Sequence, residues 1–276
     1  AFQKGGLQDI RVEHRASRWA TEYKFPAVER GDVLKKVYHT TSGEPMQAYA
    51  LNTRRPQFQD RRVRQALALA FDFESLNRVQ FHDLYQRTTS FFQGTELASS
   101  GVPQGLELEI LETVREHVPA ELFTAPFTLP VYDNAQAQRQ HLRRAMELLT
   151  EAGWRQQGGK LVNAKGEQFK IEFLSANPDT ERLTGPYINT LRRLGIDVSL
   201  RIIDPSQYVN RVRDYDFDII TSMHMQSQSP GNEQREYWAS EAADLPDTRN
   251  YAGIKDPAVD KLVERVIFAK NREELV

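Results

Sequence analysis

The chain has 276 residues, 39% hydrophobic and 27% charged, so it can bury a core and is not of the disordered type. Its 36 Lys and Arg nearly offset 38 Asp and Glu, which argues against a nucleic-acid binder that relies on net positive charge. The lack of Cys removes disulfides, thiolate chemistry and Cys-ligated zinc, and no run approaches the roughly 18 to 20 apolar residues of a membrane span.

The start, Ala1 to Gly6, does not read as a signal peptide, so the protein is either cytosolic or exported by a leader outside these residues. Asp9-Ile10-Arg11-Val12 reads as a short strand leading into a helix around Ser17 to Tyr23. Two strands are expected next, Val33 to Tyr38 and Met46 to Asn52, separated by the turn-rich Thr40 to Pro45. The second has no clear solvent face, which suits a central strand.

Asp60 then caps a helix in which Val63, Ala66, Leu67, Ala70 and Phe71 recur at three- and four-residue spacing. Arg61, Arg62 and Arg64 oppose the helix dipole in its first turn, which suggests anionic partners, though a carboxylate from another lobe or solvent alone can compensate and the structural reading is favoured. From Tyr85 to Asp133, aromatic and Pro interruptions such as Ser90-Phe91-Phe92 predict a surface excursion with one helix near Leu106 to His117.

The next part alternates regularly. A helix from about Ala137 to Ala152 stops at Gly153, Trp154 packs back on it, and Gly158 to Gly166 forms a hairpin tip. Strands Phe169 to Leu174, Ile196 to Ile203 and Phe217 to Met223 are separated by helices Thr180 to Leu194 and Asp204 to Arg213. This order argues for an α/β lobe, a mixed sheet flanked by helices. A last helix starts at Asp256-Pro257 and meets no stop signal before Val276, so both ends read as interior to a longer protein.

The stretch from Tyr215 to Asn250 carries the candidate chemistry. Strand Phe217 to Met223 gives way to the polar Gln226-Ser227-Gln228-Ser229-Pro230-Gly231-Asn232-Glu233-Gln234, and a polar loop at a strand end is where open α/β sheets bind ligands. Gln226, Gln228, Asn232 and Gln234 offer both donors and acceptors, Ser227 and Ser229 add hydroxyls, Glu233 suits an amine, and Gly231 permits close approach. The plainer alternative is a surface turn in which Asn232 and Glu233 cap a helix around Glu236 to Ser240. From spacing alone the plainer alternative carries more weight.

Other chemistries fare worse. Met223 and Met225 share one strand face and His224 the other, so they do not converge on a soft metal. Asp216 and Asp218 resemble a hydrolytic carboxylate pair, yet nothing else assembles a nucleophile and base. Arg54-Arg55 and Arg61-Arg62 lack the interleaved aromatics of a nucleic-acid platform.

Two separated strings resemble one known family. Ser229-Pro230-Gly231-Asn232-Glu233-Gln234-Arg235 with Tyr237-Trp238 and Arg249-Asn250-Tyr251-Ala252-Gly253-Ile254, and upstream Asn52 to Pro56 with Asp60 to Leu67, are similar to the extracellular solute-binding proteins of family 5. More narrowly they resemble the Yej-type branch, associated with oligopeptide and microcin C uptake by ABC transporters. The resemblance implies a two-lobed periplasmic-binding fold of type II, cluster C-like. Residues 61–276 would be the C-terminal ligand-binding lobe and 1–60 the inter-lobe strands leading into it, with the other lobe and the final return segment absent.

The same resemblance implies a periplasmic monomer without catalysis or cofactor that passes oligopeptides or related solutes to membrane permease subunits. It gives His224, Gln226, Ser227, Ser229, Asn232 and Glu233 as ligand-binding residues. His224 departs from the pattern, because relatives often carry Trp at the end of this strand. An oligosaccharide ligand and a carboxylate-dependent hydrolase are the alternatives.

Overall fold

The computed structural model describes residues 8–38 and 43–276. The expected turn at Thr40, Thr41 and Ser42 and the Ala1 to Gly6 start lie outside the described residues. Two short helices, α1 (Ala16–Thr21) and α2 (Pro26–Glu29), precede strand β1 (Met46–Leu51). Neither Asp9 to Val12 nor Val33 to Tyr38 is a strand. A strand needs a paired neighbouring strand, and among the described residues neither segment has one, leaving Ile10, Val12, Val37 and Tyr38 exposed.

Helix α3 (Arg61–Leu69) begins at Asp60, whose carboxylate accepts from the Arg62 amide at 2.8 Å, so the expected cap is present. Arg62 folds back on the same carboxylate, and Arg64 donates to the Phe58 and Gln59 carbonyls at 2.7 and 2.8 Å. Two of the three basic residues thus meet local acceptors. Helices α4 (Phe73–Phe81) and α5 (Gly105–Glu112) follow, and a separate 3₁₀ turn at Arg115–His117 ends what the sequence suggested as one helix.

Helix α6 (Ala135–Glu151) leads to the hairpin of β2 (Arg155–Gln157) and β3 (Lys160–Val162), then β4 (Lys170–Ser175), α7 (Thr180–Arg193), β5 (Asp197–Ile202), α8 (Pro205–Arg213) and β6 (Ile219–His224). Helices α9 (Glu233–Trp238), α10 (Pro257–Ile267) and α11 (Arg272–Leu275) complete the chain. The strand β6 starts two residues later than the apolar run, and α9 starts three residues earlier than expected.

The four-stranded sheet runs β1-β6-β4-β5, with β4 parallel to both β5 and β6 and β1 antiparallel to β6. β1 is therefore an edge and not a central strand. β4 buries Ile171 and Phe173 on one face and Leu174 on the other, as an inner strand must, whereas Ala50 is the one buried residue of β1. Phe58, Leu67, Leu149, Phe173, Leu191 and Ile219 fill the larger core under α3, α6 and α7. The opposite face holds Ala50, Leu174, Phe217 and Ile220 against Tyr208 and Val212 of α8. No helix among the described residues is long and apolar enough to cross a membrane.

Candidate ligand-binding site at the end of strand β6

Strands β4 and β6 run parallel, so their C-terminal ends share one rim. His224 is the last residue of β6, paired with Met46 of β1, and only 7% exposed. The flanking Met223 and Met225 are 55% and 68% exposed, so the strand alternation holds and the three side chains do not converge.

His224 sits in an aromatic nest. Trp238 stacks on it with centroids 5.3 Å apart at 24°, Phe91 meets it edge-on at 5.3 Å and 83°, and Tyr237 lies at 5.8 Å. Its Nε2 is 3.1 Å from the Ser222 hydroxyl, while Nδ1 is buried without a partner. Burial holds its pKa below the ordinary histidine value, so the ring is neutral at pH 7.

A chain of amides links this nest to the polar loop. Trp238 Nε1 donates to Gln234 Oε1 at 3.0 Å, and Gln234 Nε2 donates to Gln226 Oε1 at 2.7 Å and Glu233 Oε1 at 3.2 Å. Gln234 is buried because α9 opens one turn early, with its first turn folded onto the rim. Gln226 Nε2 is buried and unpartnered.

The remaining candidates stand outside this nest. Ser227 and Ser229 are exposed, and the Ser227 hydroxyl accepts from the Ser229 amide at 3.1 Å. Asn232 is exposed and makes no side-chain cap; its Oδ1 accepts from Arg235 Nη1 at 2.9 Å, and Arg235 forks onto Glu264 of α10. Glu233 is also exposed and accepts from the Gly231 amide at 2.8 Å. Partial burial pushes its carboxyl up, but hydrogen bonds from the Gly231, Glu233 and Gln234 N–H groups outweigh that and hold it below the ordinary range. Gly231 has space for a Cβ, which would meet Glu233 Oε2 at 3.4 Å, so its own packing does not demand glycine.

Several contributors escaped the sequence reading. Phe91 reaches the nest from the excursion, where Ser90-Phe91-Phe92 was the available signal. Arg272 of α11 donates to the Gln228 carbonyl and to Glu96, a tie that no local pattern announces.

Asp216 and Asp218 precede β6, at the end remote from His224. Arg55 pairs with both, at 2.8 and 3.3 Å, and the Glu172 amide donates to Asp218 at 3.0 Å. Burial raises the Asp218 pKa despite these partners, while on Asp216 the arginines Arg55 and Arg211 outweigh partial burial and lower it. These ties account for both carboxylates structurally. Two cavities of about 720 and 230 Å³ border Leu69 and His141, and Asp72 and Tyr187; neither is lined by a residue from 224 to 238.

The two strings that carried the family resemblance interlock in space. Arg54 donates to the carbonyls of Ala243, Asn250 and Tyr251 and stacks on Tyr215 at 3.7 Å. The Thr53 amide and hydroxyl both donate to Ala252 O, at 2.9 and 2.7 Å. Asn250, 1% exposed, donates to Ala239 O and Ile254 O. These contacts fix the segment behind α9.

Residues 1–245 match the family described as bacterial extracellular solute-binding proteins, family 5 Middle. The chain belongs to this family. Among the family 5 relatives, a probable peptide-binding protein YejA of Agrobacterium fabrum is 47% identical over 278 residues, 99% of this chain and 45% of the relative. A peptidoglycan-binding protein YepA of the same organism is 35% identical over 282 residues, 99% of this chain and 46% of the relative. The chain thus spans less than half the length of the curated relatives it matches.

The fold recurs in solved structures. The oligopeptide-binding protein AppA of Bacillus subtilis, in complex with a nonapeptide, superposes with a TM-score of 0.64 at 19% identity, covering 95% of this chain and 44% of AppA. A mannohexaose-bound periplasmic oligopeptide-binding protein of Thermotoga maritima gives 0.60 at 15% identity, covering 91% and 44%. The architecture is that of type II periplasmic binding proteins, of which this chain covers a part.

Proposed function

We propose that the chain is the C-terminal lobe, residues 61–276 with 1–60 leading into it, of the substrate-binding component of an ABC importer in the periplasm. The whole protein captures oligopeptides or peptide conjugates between two lobes and delivers them to the membrane permease, acting as a monomer without catalysis. The observation that carries this reading is the rim at β6, where His224 Nδ1 and Gln226 Nε2 are buried without partners. Unpaired buried polar atoms are costly in a fold, so this rim calls for a partner from outside the chain, supplied by ligand, water or the other lobe.

Residues 226–233 form one wall of the cleft. Glu233 is exposed and held ionised, ready for a peptide amine, and Ser227, Ser229 and Asn232 line the outer part of the wall. A peptide-binding relative at 47% identity supports the ligand class, and ligand affinity for the closed form drives lobe closure.

An oligosaccharide is the second reading, favoured by the stack of His224, Trp238 and Phe91, whose flat faces also suit a sugar ring. Calorimetric titration of the natural full-length protein with oligoalanines and with mannooligosaccharides separates the two. Heat of binding with oligoalanines alone is expected. Heat with the sugars alone keeps transport and changes the cargo.

A further inference from the structure

Residues 90–96, a turn that is neither helix nor strand, cover the aromatic nest. Phe91 meets His224 edge-on at 5.3 Å and Trp238 at 4.6 Å and 60°, so the rings at the β6 rim are closed over from the side of the excursion. The turn is knit together from within. The Ser90 hydroxyl accepts from the Phe92 amide at 3.1 Å and the Ser99 amide at 3.3 Å, and the Gln93, Thr95 and Ala98 amides donate to the carbonyls of Ser90, Phe92 and Thr95.

Its outward ties are of another kind. Among the described residues, the hydrogen bonds of 90–96 to other elements are the Glu44 amide on the Gln93 carbonyl, at 2.9 Å, and the pair of Glu96 with Arg272 of α11. The side chains of Arg272 and Glu96 are 40% and 60% exposed, and an exposed ion pair contributes little and is screened by salt. Arg272 also donates to the Gln228 carbonyl, so one guanidinium holds the turn against the polar loop. A segment bonded well within itself and weakly to its surroundings lifts as a unit before it unfolds.

Resting on the peptide reading above for what passes beneath it, we propose that residues 90–96 are a lid over the nest, with Phe91 as its plug and Arg272 as its clasp. Closed, the lid shields His224 and Trp238. Lifted, it opens the rim to ligand, and Arg272 sets how often that happens while touching no ligand itself.

The first test reads the lid without a ligand, by hydrogen exchange in the natural full-length protein. Lifting releases the Glu44 amide, whereas the Gln93, Thr95 and Ala98 amides stay bonded within the turn. Arg272→Ala is expected to speed exchange at Glu44 about two- to fivefold, the factor an exposed ion pair carries, and to leave the other three at wild-type rates. Glu96→Ala is expected to do the same, and the double variant no more than either. Raising the salt concentration on the wild type is expected to move Glu44 in the same direction, so a variant that fails to fold does not remove the test. An unchanged rate at Glu44, or equal acceleration of all four amides, overturns the lid.

A cross-link tests the gating. A Cβ on Gly43 would stand 2.8 Å from Thr95 Cγ2, and the Thr95 Cβ one bond further lies within the roughly 3.5–4.5 Å that a disulfide spans. Gly43→Cys combined with Thr95→Cys ties the lid down ahead of β1 when oxidised, and these 276 residues contain no other Cys. Oxidation is expected to slow the association of oligoalanines about tenfold or more, and reduction to restore it. Equal association in the two forms overturns the gating and leaves the peptide function standing. If no oligoalanine binds, the peptide reading fails, and the exchange rates still decide the lid.

Discussion

Trp238 lies flat against His224, their ring centroids 5.3 Å apart at an interplanar angle of 24°. The indole is thus a reporter at the proposed cleft wall. Of the 3 Trp residues, Trp154 is stacked on Phe169 in the core and Trp19 lies on α1 beside Tyr23. Ligand binding in the full-length protein is expected to change tryptophan emission, and Trp238→Phe is expected to remove most of the change from this lobe. An unaltered response in that variant would place the ligand away from the stack.

His224 also gives a pH signature. Burial depresses its pKa, so the unfolded chain takes up the proton first, from about pH 6.5 downward. Its contribution is full above that value and is lost as pH falls from the unfolded pKa towards the lower folded one. Denaturant unfolding of wild type and His224→Phe from pH 8 to 5 should therefore show the wild type losing ground to the variant on acidification. A gain on acidification would mean that the ring is charged in the fold.

Arg54 ties β1 to the segment behind α9 through the carbonyls of Ala243, Asn250 and Tyr251, and it covers Tyr215. Arg54→Ala leaves those acceptors without their cation and is expected to cost about 3 kcal/mol in urea unfolding. Arg54→Lys cannot reproduce the fork and is expected to recover little of it. A loss below about 0.5 kcal/mol would show that the interlock is dispensable.

Two glycines with left-handed backbones separate strain from crowding. Gly153 has φ +92° and open space where a Cβ would stand, while at Gly195, φ +86°, that Cβ would lie 2.8 Å from the Leu161 amide nitrogen. Gly153→Ala is expected to cost about 1 kcal/mol from backbone strain alone. Gly195→Ala must also move the β3 main chain, and about 3 kcal/mol is expected. Equal melting temperatures for the two variants would contradict this packing.

Much of the fold was legible because its signals were local. Asp60, Gly153, Gly195 and Asp204-Pro205 mark helix ends by chemistry that acts within a few residues, and each lies at a helix boundary. Edge against centre is a relation between strands, so β1 was misplaced. Asp9 to Val12 and Val33 to Tyr38 have strand composition, but pairing decides a strand.

The site divided in the same way. The polar loop was visible as a run of amides and hydroxyls, while the nest depends on Phe91, brought from more than a hundred residues upstream in the chain. Gln234 read as loop because α9 opens with polar residues, and only its burial shows that it orders Gln226 and Trp238. The Arg54 string carried only the family resemblance in the sequence, and its partners are carbonyls some 190 residues away, a distance that no spacing rule spans.

The most direct measurement is a thermal-shift titration of the natural full-length protein with mixed oligopeptides, muropeptides and oligosaccharides, repeated in Glu233→Ala and Asn232→Ala. Ligand that binds only the folded state stabilises it by about 4 kcal/mol at a thousandfold excess over Kd. The account predicts an upward shift with peptides that Glu233→Ala reduces most, because it removes the one carboxylate on the loop. A shift with sugars alone, or a peptide shift that neither substitution alters, would contradict a peptide site on this wall.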